Sequence, residues 1–419
     1  MKKYVLVLLS IYSLLFYGCK EESNPTNQSN PTNFSLIFTN NRIRGEGWVI
    51  LHSLDGKQNI SYKSFNKNGN IDFGDIKSDR VSFTYIERYT TSSGWKNVNI
   101  TTDLNAPAGE WRFEGNYYDY RGKLTINSTF PADYYKSGCD AVLYNGSSGY
   151  NFGSSLIQNR STTRDIYYLK NNKRISVISS VILKNVDSAY YGMAENTPFV
   201  ENTTNVVNLA VNNRMAKKVV SFNQPVQYYF CAALQGDSLD YMGMSYLREN
   251  TAVSSIPVYY IPSVPKKYYY LSGGYSGTTF GRNFTIIGSD LPSSVTIPDM
   301  GITGTYVPDS AMVTGINISG VCDQISANWV YTNSAEKTTV SWLVYAPHNS
   351  LTIKRPGLPA EVTSQIPEYN AGQLILNSVG MVDYDTFTSM DDIVKAFFKS
   401  YAPQMDKYKT SFSYYKVGW

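Results

Sequence analysis

Histidine, the side chain best suited to proton transfer near neutral pH, occurs only twice in this chain, as His52 and His348. The two lie far apart in the sequence, so a histidine-rich metal centre cannot be assembled, and a Ser-His-Asp triad would need one of them. His52 ends an apolar run just before a turn, and His348 follows Pro347 in another predicted turn. We therefore expect both to be solvated turn histidines.

The nucleophile-elbow pattern G-x-S-x-G does not occur in the sequence. Residues 146–149 (GSSG) and 274–277 (GYSG) approach it but lack the last glycine at the required spacing. We interpret both as flexible turns. The glycine-rich loops that cradle phosphates or dinucleotides are also missing from the sequence, as expected for a chain without βα units.

Glycosidases use two carboxylates that need not be neighbours in sequence, so single acids deserve inspection. Most of the candidates lie beside Gly, Ser or Pro in predicted turns, and we interpret them as solvated turn acids. These candidates are Asp133, Asp140, Asp165, Asp237, Asp240 and Asp299. No pair of them stands out as an acid and base, so we predict no catalytic residue, no cofactor and no enzymatic activity.

A second group of acids lies near the C-terminus, where Asp383 and Asp385 precede Asp391 and Asp392. Carboxylates are the ligands that Ca²⁺ prefers, but the segment lacks the glycine and the terminal Glu of an EF-hand loop. Acids that cap the start of a helix are the alternative. We predict no metal site.

Tyrosine is the most unusual feature of the composition, with 36 residues. On a strand, adjacent side chains point to opposite faces, so one ring of a doublet can enter the core while its neighbour faces out. An outward Tyr suits stacking on a sugar ring or contact with a protein partner; alternatively, Tyr simply favours the wet face of a sheet. The doublets and triplet begin at Tyr117, Tyr134, Tyr167, Tyr190, Tyr228, Tyr259 and Tyr268.

The composition bears on two broad classes of protein, membrane proteins and nucleic-acid-binding proteins. At 42% hydrophobic and 17% charged residues, the chain can bury a core without being a membrane protein. The net charge is +4, and it is +2 without Lys2 and Lys3. This near balance argues against nucleic acid as the partner.

Four cysteines are present, and Cys139, Cys231 and Cys322 are widely separated in sequence. No two are close enough to predict a zinc knuckle or a redox pair. We expect them to be small buried hydrophobic side chains, and the sequence does not decide their pairing.

The first residues predict an exported protein. Lys2 and Lys3 precede an apolar run over residues 4–16 that is too short to cross a bilayer comfortably, and Gly18-Cys19 closes it. This segment resembles the signal peptide and lipobox of bacterial lipoproteins, which implies that Cys19 is lipidated and becomes the mature N-terminus. An ordinary secretory signal with an incidental cysteine is the alternative.

The residues after Cys19 specify the predicted cellular location further. Lys20-Glu21-Glu22 resembles the surface-export signal of Bacteroidetes lipoproteins, a Lys followed by two acids. Position 20 is not Asp, so the usual inner-membrane retention signal is missing. The resemblance implies a lipid anchor in the bacterial outer membrane, with the folded part facing the exterior.

Short apolar runs separated by turn residues predict an all-β protein of two or three antiparallel β-sandwich domains. After a signal peptide (1–18) and a polar tether (19–33), we place an N-terminal sandwich (34–116), a middle β domain (117–265) and a C-terminal β domain (266–419). Ser389 as a cap and apolar residues at helical spacing predict one short helix near 390–401 in the last domain.

The first domain carries a predicted hairpin with Asp55-Gly56-Lys57 at its turn and a second turn at Asn68-Gly69. These turns and their spacing resemble those of transthyretin-like sandwiches of the carboxypeptidase-regulatory type. The resemblance implies a structural module in an exported protein.

Taken together, these features predict a surface lipoprotein that acts as a non-catalytic binding or scaffolding module for glycan or protein. Two alternatives stay open at this point. One is a secreted hydrolase of β architecture with dispersed carboxylates, and the other is a structural subunit of a cell-surface assembly.

Overall fold

The structure is a computed structural model that describes residues 33–39, 45–66, 69–76, 78–91, 93–114, 122–130, 135–144, 147–153, 159–166, 174–183, 188–234, 241–262, 268–399 and 407–419. The predicted signal peptide, the lipidation site Cys19 and the export signal Lys20, Glu21 and Glu22 lie outside these residues. Strands dominate the described chain, which confirms the all-β prediction.

The strands fall into five sheets and are numbered in chain order. They are β1 (Asn33–Thr39), β2 (Glu46–His52), β3 (Asn59–Phe65), β4 (Gly69–Asp75), β5 (Arg80–Thr90), β6 (Lys96–Pro107), β7 (Gly109–Glu114), β8 (Gly122–Thr129), β9 (Tyr135–Tyr144), β10 (Ser147–Gly153), β11 (Asn159–Ile166), β12 (Arg174–Leu183), β13 (Ala189–Pro198), β14 (Thr204–Ala210), β15 (Asn213–Arg214), β16 (Ala216–Leu234), β17 (Tyr241–Tyr260), β18 (Tyr268–Ser276), β19 (Phe280–Gly288), β20 (Ser294–Val295), β21 (Gly301–Val307), β22 (Met312–Ser319), β23 (Gln324–Asn333), β24 (Thr338–Pro347), β25 (Thr352–Lys354), β26 (Ile375–Tyr384) and β27 (Thr410–Val417). Helices α1 (Ala360–Thr363) and α2 (Met390–Phe398) and two 3₁₀ turns (Pro308–Ser310 and Ala371–Gln373) complete the described elements.

One large sheet organises the molecule. Its order is β17-β16-β18-β19-β27-β26-β23-β24-β6-β5-β2-β3, with β20 beside β16, and β24 pairs with β6 in parallel. Strands of all three predicted domains take part. One hydrogen-bonded sheet therefore contains residues from both sides of the predicted boundaries at 116 and 265. The domain division stays a prediction.

The N-terminal part of this sheet is buried on both faces, because a different sheet covers each. Val49 of β2 belongs to one core with Leu36 of the sheet β4-β1-β7. The next residue back, Trp48, belongs to another core with Val313 of the sheet β21-β22-β25. Alternation along a strand sends neighbouring side chains to opposite faces, so a continuous apolar run fits a central layer.

The predicted hairpin at Asp55-Gly56 is present. Strands β2 and β3 pair antiparallel, and Gly56 adopts a φ of 70°, which glycine reaches without a steric penalty. Edge strand β3 is exposed along nearly its whole length.

A smaller sandwich lies in the middle of the chain. The sheets β11-β8-β14 and β10-β9-β12-β13-β15 enclose its core, and β12 lies between β9 and β13 as the apolar run 175–183 indicates. Its buried side chains are Leu124, Ile126, Ile175, Val177, Phe199, Val207 and Leu209.

Helix α2 confirms the short helix predicted near 390–401. The Ser389 side chain accepts from the backbone N–H of Asp392, which caps the first turn. Met390 and Val394 pack into the core of the N-terminal sandwich, whereas Ile393 and Phe397 pack against strands β16, β18 and β26. The helix therefore connects two parts of the large sheet.

Candidate functional site

A cleft lies where the start of β6, the β23–β24 turn and the segment 357–373 meet. Its volume is about 820 Å³, which is within the usual range for small-molecule sites. It is lined by Lys96, Tyr331, Asn333, Glu336, Thr338, Gly357, Leu358, Thr363, Pro367, Glu368, Tyr369, Asn370, Ala371 and Gln373.

Local sequence explains why the segment 357–373 forms a wall instead of another strand. Pro356, Pro359 and Pro367 lack the N–H that a central strand must donate. The chain instead forms the single turn of α1 and the 3₁₀ turn Ala371–Gln373. Its side chains consequently project from tight turns.

Two turns orient amide side chains at the cleft, the β23–β24 turn and the 3₁₀ turn Ala371–Gln373. The Asn333 Oδ1 accepts from the backbone N–H of Ala335 at 3.0 Å and of Glu336 at 3.2 Å. The Asn370 Oδ1 accepts from the backbone N–H of Gly372 at 3.0 Å. Each amide oxygen is therefore held by its own turn, which fixes the orientation of the amide group.

An aromatic layer supports the cleft from behind. Trp329 and Trp342 are fully buried, and the Arg355 guanidinium lies over their rings, 5.9 Å and 5.5 Å from the two centroids. Arg355 Nη2 donates to the carbonyl of Ala371 at 2.9 Å, and the Tyr369 ring lies 6.1 Å from that of Trp342. Burial lowers the pKa of Arg355 and raises that of Tyr369.

An ion pair fixes the carboxylate of Glu368. Arg88 donates to it through Nε and Nη2, each at 2.9 Å, and contacts Glu46 through Nη1 at 2.5 Å. The Glu368 side chain is 4% exposed, against 47% for Glu46. Burial acts to raise the pKa of Glu368, but the hydrogen bonds from Arg88, a backbone hydrogen bond and the charges of Arg88 and Lys96 together outweigh it, and the pKa is lowered. Glu368 is therefore held as a carboxylate.

A buried polar chain continues from the aromatic layer across four strands. Trp342 Nε1 donates to Thr102 Oγ1 at 2.9 Å, Thr102 bonds Thr84 at 2.7 Å, and Thr84 bonds His52 Nε2 at 2.7 Å. The expectation that His52 is solvated is wrong, since the residue is 2% exposed. Strands β3 and β5 flank it on both sides, and burial lowers its pKa to about 4.

The second histidine, His348, lies in the turn after β24, where the sequence predicted it, and is half-buried. It is not among the cleft residues. The structure therefore does not bring the two histidines to the cleft.

Of the single acids proposed from the sequence, the structure describes the side chain of Asp299, which is not a cleft residue. Asp299 is exposed in a loop. Asp140 and Asp165 lie in β9 and β11, and their side chains are outside the described part of the chain. Residues Asp133, Asp237 and Asp240 are outside it altogether.

The C-terminal acids serve helix α2 and its surroundings. Asp392 Oδ2 accepts from the backbone N–H of Thr388 and from the Ser389 hydroxyl, both at 3.0 Å, and Asp391 accepts two hydrogen bonds from Arg80. The bond from Thr388 contributes most to lowering the pKa of Asp392. No cluster of His, Cys, Asp or Glu in the described residues could hold a metal ion.

Asp385 and Asp383 have separate environments. Asp385 Oδ1 accepts from the backbone N–H of Lys409 at 3.1 Å. Burial, together with Asp323, raises the pKa of Asp383 to about 6. Capping and turn formation thus account for most of this acidic segment.

The tyrosine doublets behave as strand alternation predicts in one clear case. Tyr229 is fully buried in the core, whereas Tyr228 on the opposite face is half-buried and donates to Asn283 Oδ1. Tyr269 and Tyr270 are both buried, because the large sheet is covered on both faces there. The tyrosines of the cleft, Tyr331 and Tyr369, belong to no doublet, so this signal missed them.

Two cysteines are free thiols within the described residues. Cys231 is fully buried and confirms the expectation of a small hydrophobic side chain, and Cys322 is half-buried. Burial raises the pKa of both thiols. The side chain of Cys139 lies outside the described part.

A buried acid of the large sheet was not anticipated from the sequence. Asp103 on β6 is 5% exposed, and burial raises its pKa to about 7. It is not a cleft residue.

Comparisons with known proteins do not assign the chain to a family. No family model matches it, and no curated protein matches it. Among solved structures, it is similar to the Bacillus anthracis TIE protein, with 11% identity and a TM-score of 0.14. That match covers 59% of this chain and 46% of the other, so the chain spans less than half the length of that structure. Such a low TM-score supports no argument about fold or function.

Within the described residues, no helix is long and apolar enough to cross a bilayer.

Proposed function

We propose that this protein is a lipoprotein of the bacterial outer membrane, anchored through lipid on Cys19 and facing the exterior, that binds a ligand in the cleft without transforming it. The address is supported by the apolar run 4–16, by Gly18-Cys19 and by Lys20-Glu21-Glu22. The first domain, with its transthyretin-like turns, serves as a structural module.

One observation carries the binding role. Asn333 and Asn370 line the cleft, and their amide oxygens are held by their own turns, so each amide group has a preset orientation before a ligand binds. A preset orientation reduces the entropy lost on binding. Ligand binding is therefore the activity that this geometry supports best.

The ion pair of Glu368 supports binding over hydrolysis. A glycosidase acid must hold a proton near neutral pH, which requires a raised pKa. Arg88 instead lowers the pKa of Glu368. If single replacement of any acid abolished turnover of a polymer without unfolding the protein, the hydrolase alternative would replace this proposal.

The anchor is tested by fractionating cells that express Cys19→Ala. We expect the variant to leave the membrane fraction and the wild type to remain in it. Replacement of Lys20, Glu21 and Glu22 by Ala should keep the protein in the membrane and remove its access to external protease. Unchanged membrane attachment of Cys19→Ala would refute the lipoprotein assignment.

A structural role in a surface complex can be distinguished from ligand binding by the presence of a fixed protein partner. Co-purification of a fixed partner from detergent-solubilised membranes, in constant ratio and independent of Tyr369, would favour a structural subunit. Loss of ligand binding in Tyr369→Ala favours the cleft.

A further inference from the structure

We infer that the cleft binds a short, uncharged oligosaccharide, stacked on Tyr369 and hydrogen-bonded by the side chains of Asn333, Asn370 and Gln373. This inference rests on the proposed function, because it names the class of ligand for the same cleft. It extends that function by assigning a role to individual residues.

The charges at the cleft argue for an uncharged ligand. Its lining contains one cation, Lys96, and two acids, Glu336 and Glu368. Arg88 compensates Glu368 directly. The remaining Lys96 and Glu336 have opposite signs, so the lining offers no cluster of like charge for a phosphate or a carboxylate-rich polymer.

The polar groups suit hydroxyls. Asn333, Asn370 and Gln373 bring neutral amide groups to the cleft, whereas the hydroxyls of Thr338 and Thr363 donate to backbone carbonyls of their own turns. A sugar presents many neighbouring hydroxyls, each of which can both donate and accept. Fixed amide donors on two separate turns can therefore bond several hydroxyls of one ligand at once.

The aromatic side chains suit the apolar faces of sugar rings. Tyr331 and Tyr369 line the cleft and are half-buried, so part of each side chain remains accessible. The position of Tyr369 is supported by Trp342 behind it, with 6.1 Å between the ring centroids. An aromatic face covers the C–H groups of a sugar, while hydroxyls at the ring edge reach the amides.

A protein partner fits this cleft less well. Protein interfaces concentrate their energy in fully desolvated apolar pockets that receive an aromatic or aliphatic anchor. Most side chains of the cleft are polar, and Asn370, Ala371 and Gln373 are exposed. A volume of about 820 Å³ also suits a few sugar units rather than a broad surface contact.

Arg355 acts as a positioning residue. Its Nη2 donates to the carbonyl of Ala371, the neighbour of Asn370, and its guanidinium is stacked over Trp342. Lys cannot reproduce a planar group that stacks and donates at once. Arg355→Lys is therefore expected to weaken oligosaccharide binding several-fold and to leave the cleft's preference among sugars unchanged.

The experiment uses the purified full chain with Cys19→Ala, which lacks the lipid. Neutral hexasaccharides derived from glucan, mannan, xylan and galactan are the probes, and oligogalacturonate is the acidic probe. Binding is measured on an array and then by calorimetry. We expect one neutral class to bind and the acidic probe to fail.

Variants then locate the binding site. Tyr369→Ala should weaken binding about tenfold or more, while Tyr369→Phe should retain most of it. Tyr62→Ala is the matched control, since Tyr62 is 40% exposed on edge strand β3 and is not a cleft residue. Thermal melts of all variants separate lost binding from unfolding.

Other outcomes overturn the inference. Equal affinity of Tyr369→Ala and wild type for the bound sugar overturns both the inference and the cleft as the site. Binding of the acidic probe alone, lost in Tyr369→Ala, overturns only the uncharged class and leaves the proposed function standing. Binding of no oligosaccharide, with a membrane protein captured through Tyr369, likewise overturns only the oligosaccharide.

Discussion

The cleft and the opposite face of the same sheet contain similar residue types but use them differently. On the opposite face, Asn283 accepts from Tyr228 and donates to Ser413 at 3.3 Å, so both ends of its amide are used. In the cleft, the Asn370 oxygen accepts from the backbone of its own turn. An amide bonded at both ends holds neighbouring strands together, whereas one bonded through its oxygen to its own turn can offer its nitrogen to water or to a ligand.

The two regions also differ in what lies beneath them. Behind the cleft, Trp342 joins the aromatic layer to Thr102 and so to the buried polar chain that ends at His52. The neighbouring side chain Ser341 faces the other side, where it donates to Asn328 at 3.3 Å and remains half-buried. Neighbouring residues on one strand are therefore expected to contribute very different amounts to the free energy of unfolding.

The largest expected effect tests that contrast within β24. Trp342→Ala should lower the free energy of unfolding by about 3–5 kcal/mol, because it leaves a cavity and removes a buried donor. Ser341→Ala, the matched control on the other face, should change it by less than about 0.5 kcal/mol. Denaturant unfolding measures both, and equal losses would contradict the distinction between the faces.

The next effect concerns the ion pair beside the cleft. Glu368→Gln should cost about 2 kcal/mol, because it removes the carboxylate that compensates the half-buried Arg88. Glu46→Gln affects the exposed partner of the same Arg88 and should cost less than about 1 kcal/mol. Thermal unfolding of the two variants provides the test, and a larger loss for Glu46→Gln would refute it.

The buried polar chain predicts a dependence on pH. The folded pKa of His52 is about 4, below its ordinary value of 6.5, so between these values the unfolded chain binds a proton that the folded protein does not. Stability should therefore fall with decreasing pH, by about 1 kcal/mol from this group between pH 6.5 and 5.5.

His52→Gln, which does not titrate, tests this pH dependence. Its free energy of unfolding should decline less steeply over the same pH range, even if it is lower at neutral pH. His348→Gln is the control and should keep the wild-type slope. An unchanged slope in His52→Gln would show that the buried ring is not responsible.

The smallest effect separates the two amides directly. Asn283→Ala and Asn370→Ala should each alter the free energy of unfolding by about 0.5–1 kcal/mol or less, since both sites admit water. Only Asn370→Ala should weaken ligand binding, by about fivefold. Calorimetry of both variants with the same ligand measures the two affinities. Equal losses of affinity would contradict the functional difference between Asn283 and Asn370.

Local patterns in the sequence predicted several elements correctly. The spacing of Ile393, Val394 and Phe397 after Ser389 indicated helix α2, because a helical period and a cap act within a few residues. The turn at Asp55-Gly56 indicated the first hairpin for the same reason. These features depend on backbone geometry that neighbouring residues determine.

Features that depend on distant contacts could not be predicted in this way. The burial of His52 requires Thr84 and Thr102 on strands that pair only in the folded sheet. The ion pair of Arg88 with Glu368 joins residues separated by 280 positions. Neither partner carries a signal that marks the other.

The sequence alone thus determined the β build, the short C-terminal helix and the near balance of charge, and it predicts the membrane address at Cys19. Each of these follows from composition or from residues within one turn or strand. Only the tertiary structure decided where a ligand can bind, because the cleft joins the start of β6, the β23–β24 turn and the segment 357–373. The free energy that brings these segments together comes from burying side chains such as Trp342 and Val313 between layers, a cooperative effect that no single segment encodes.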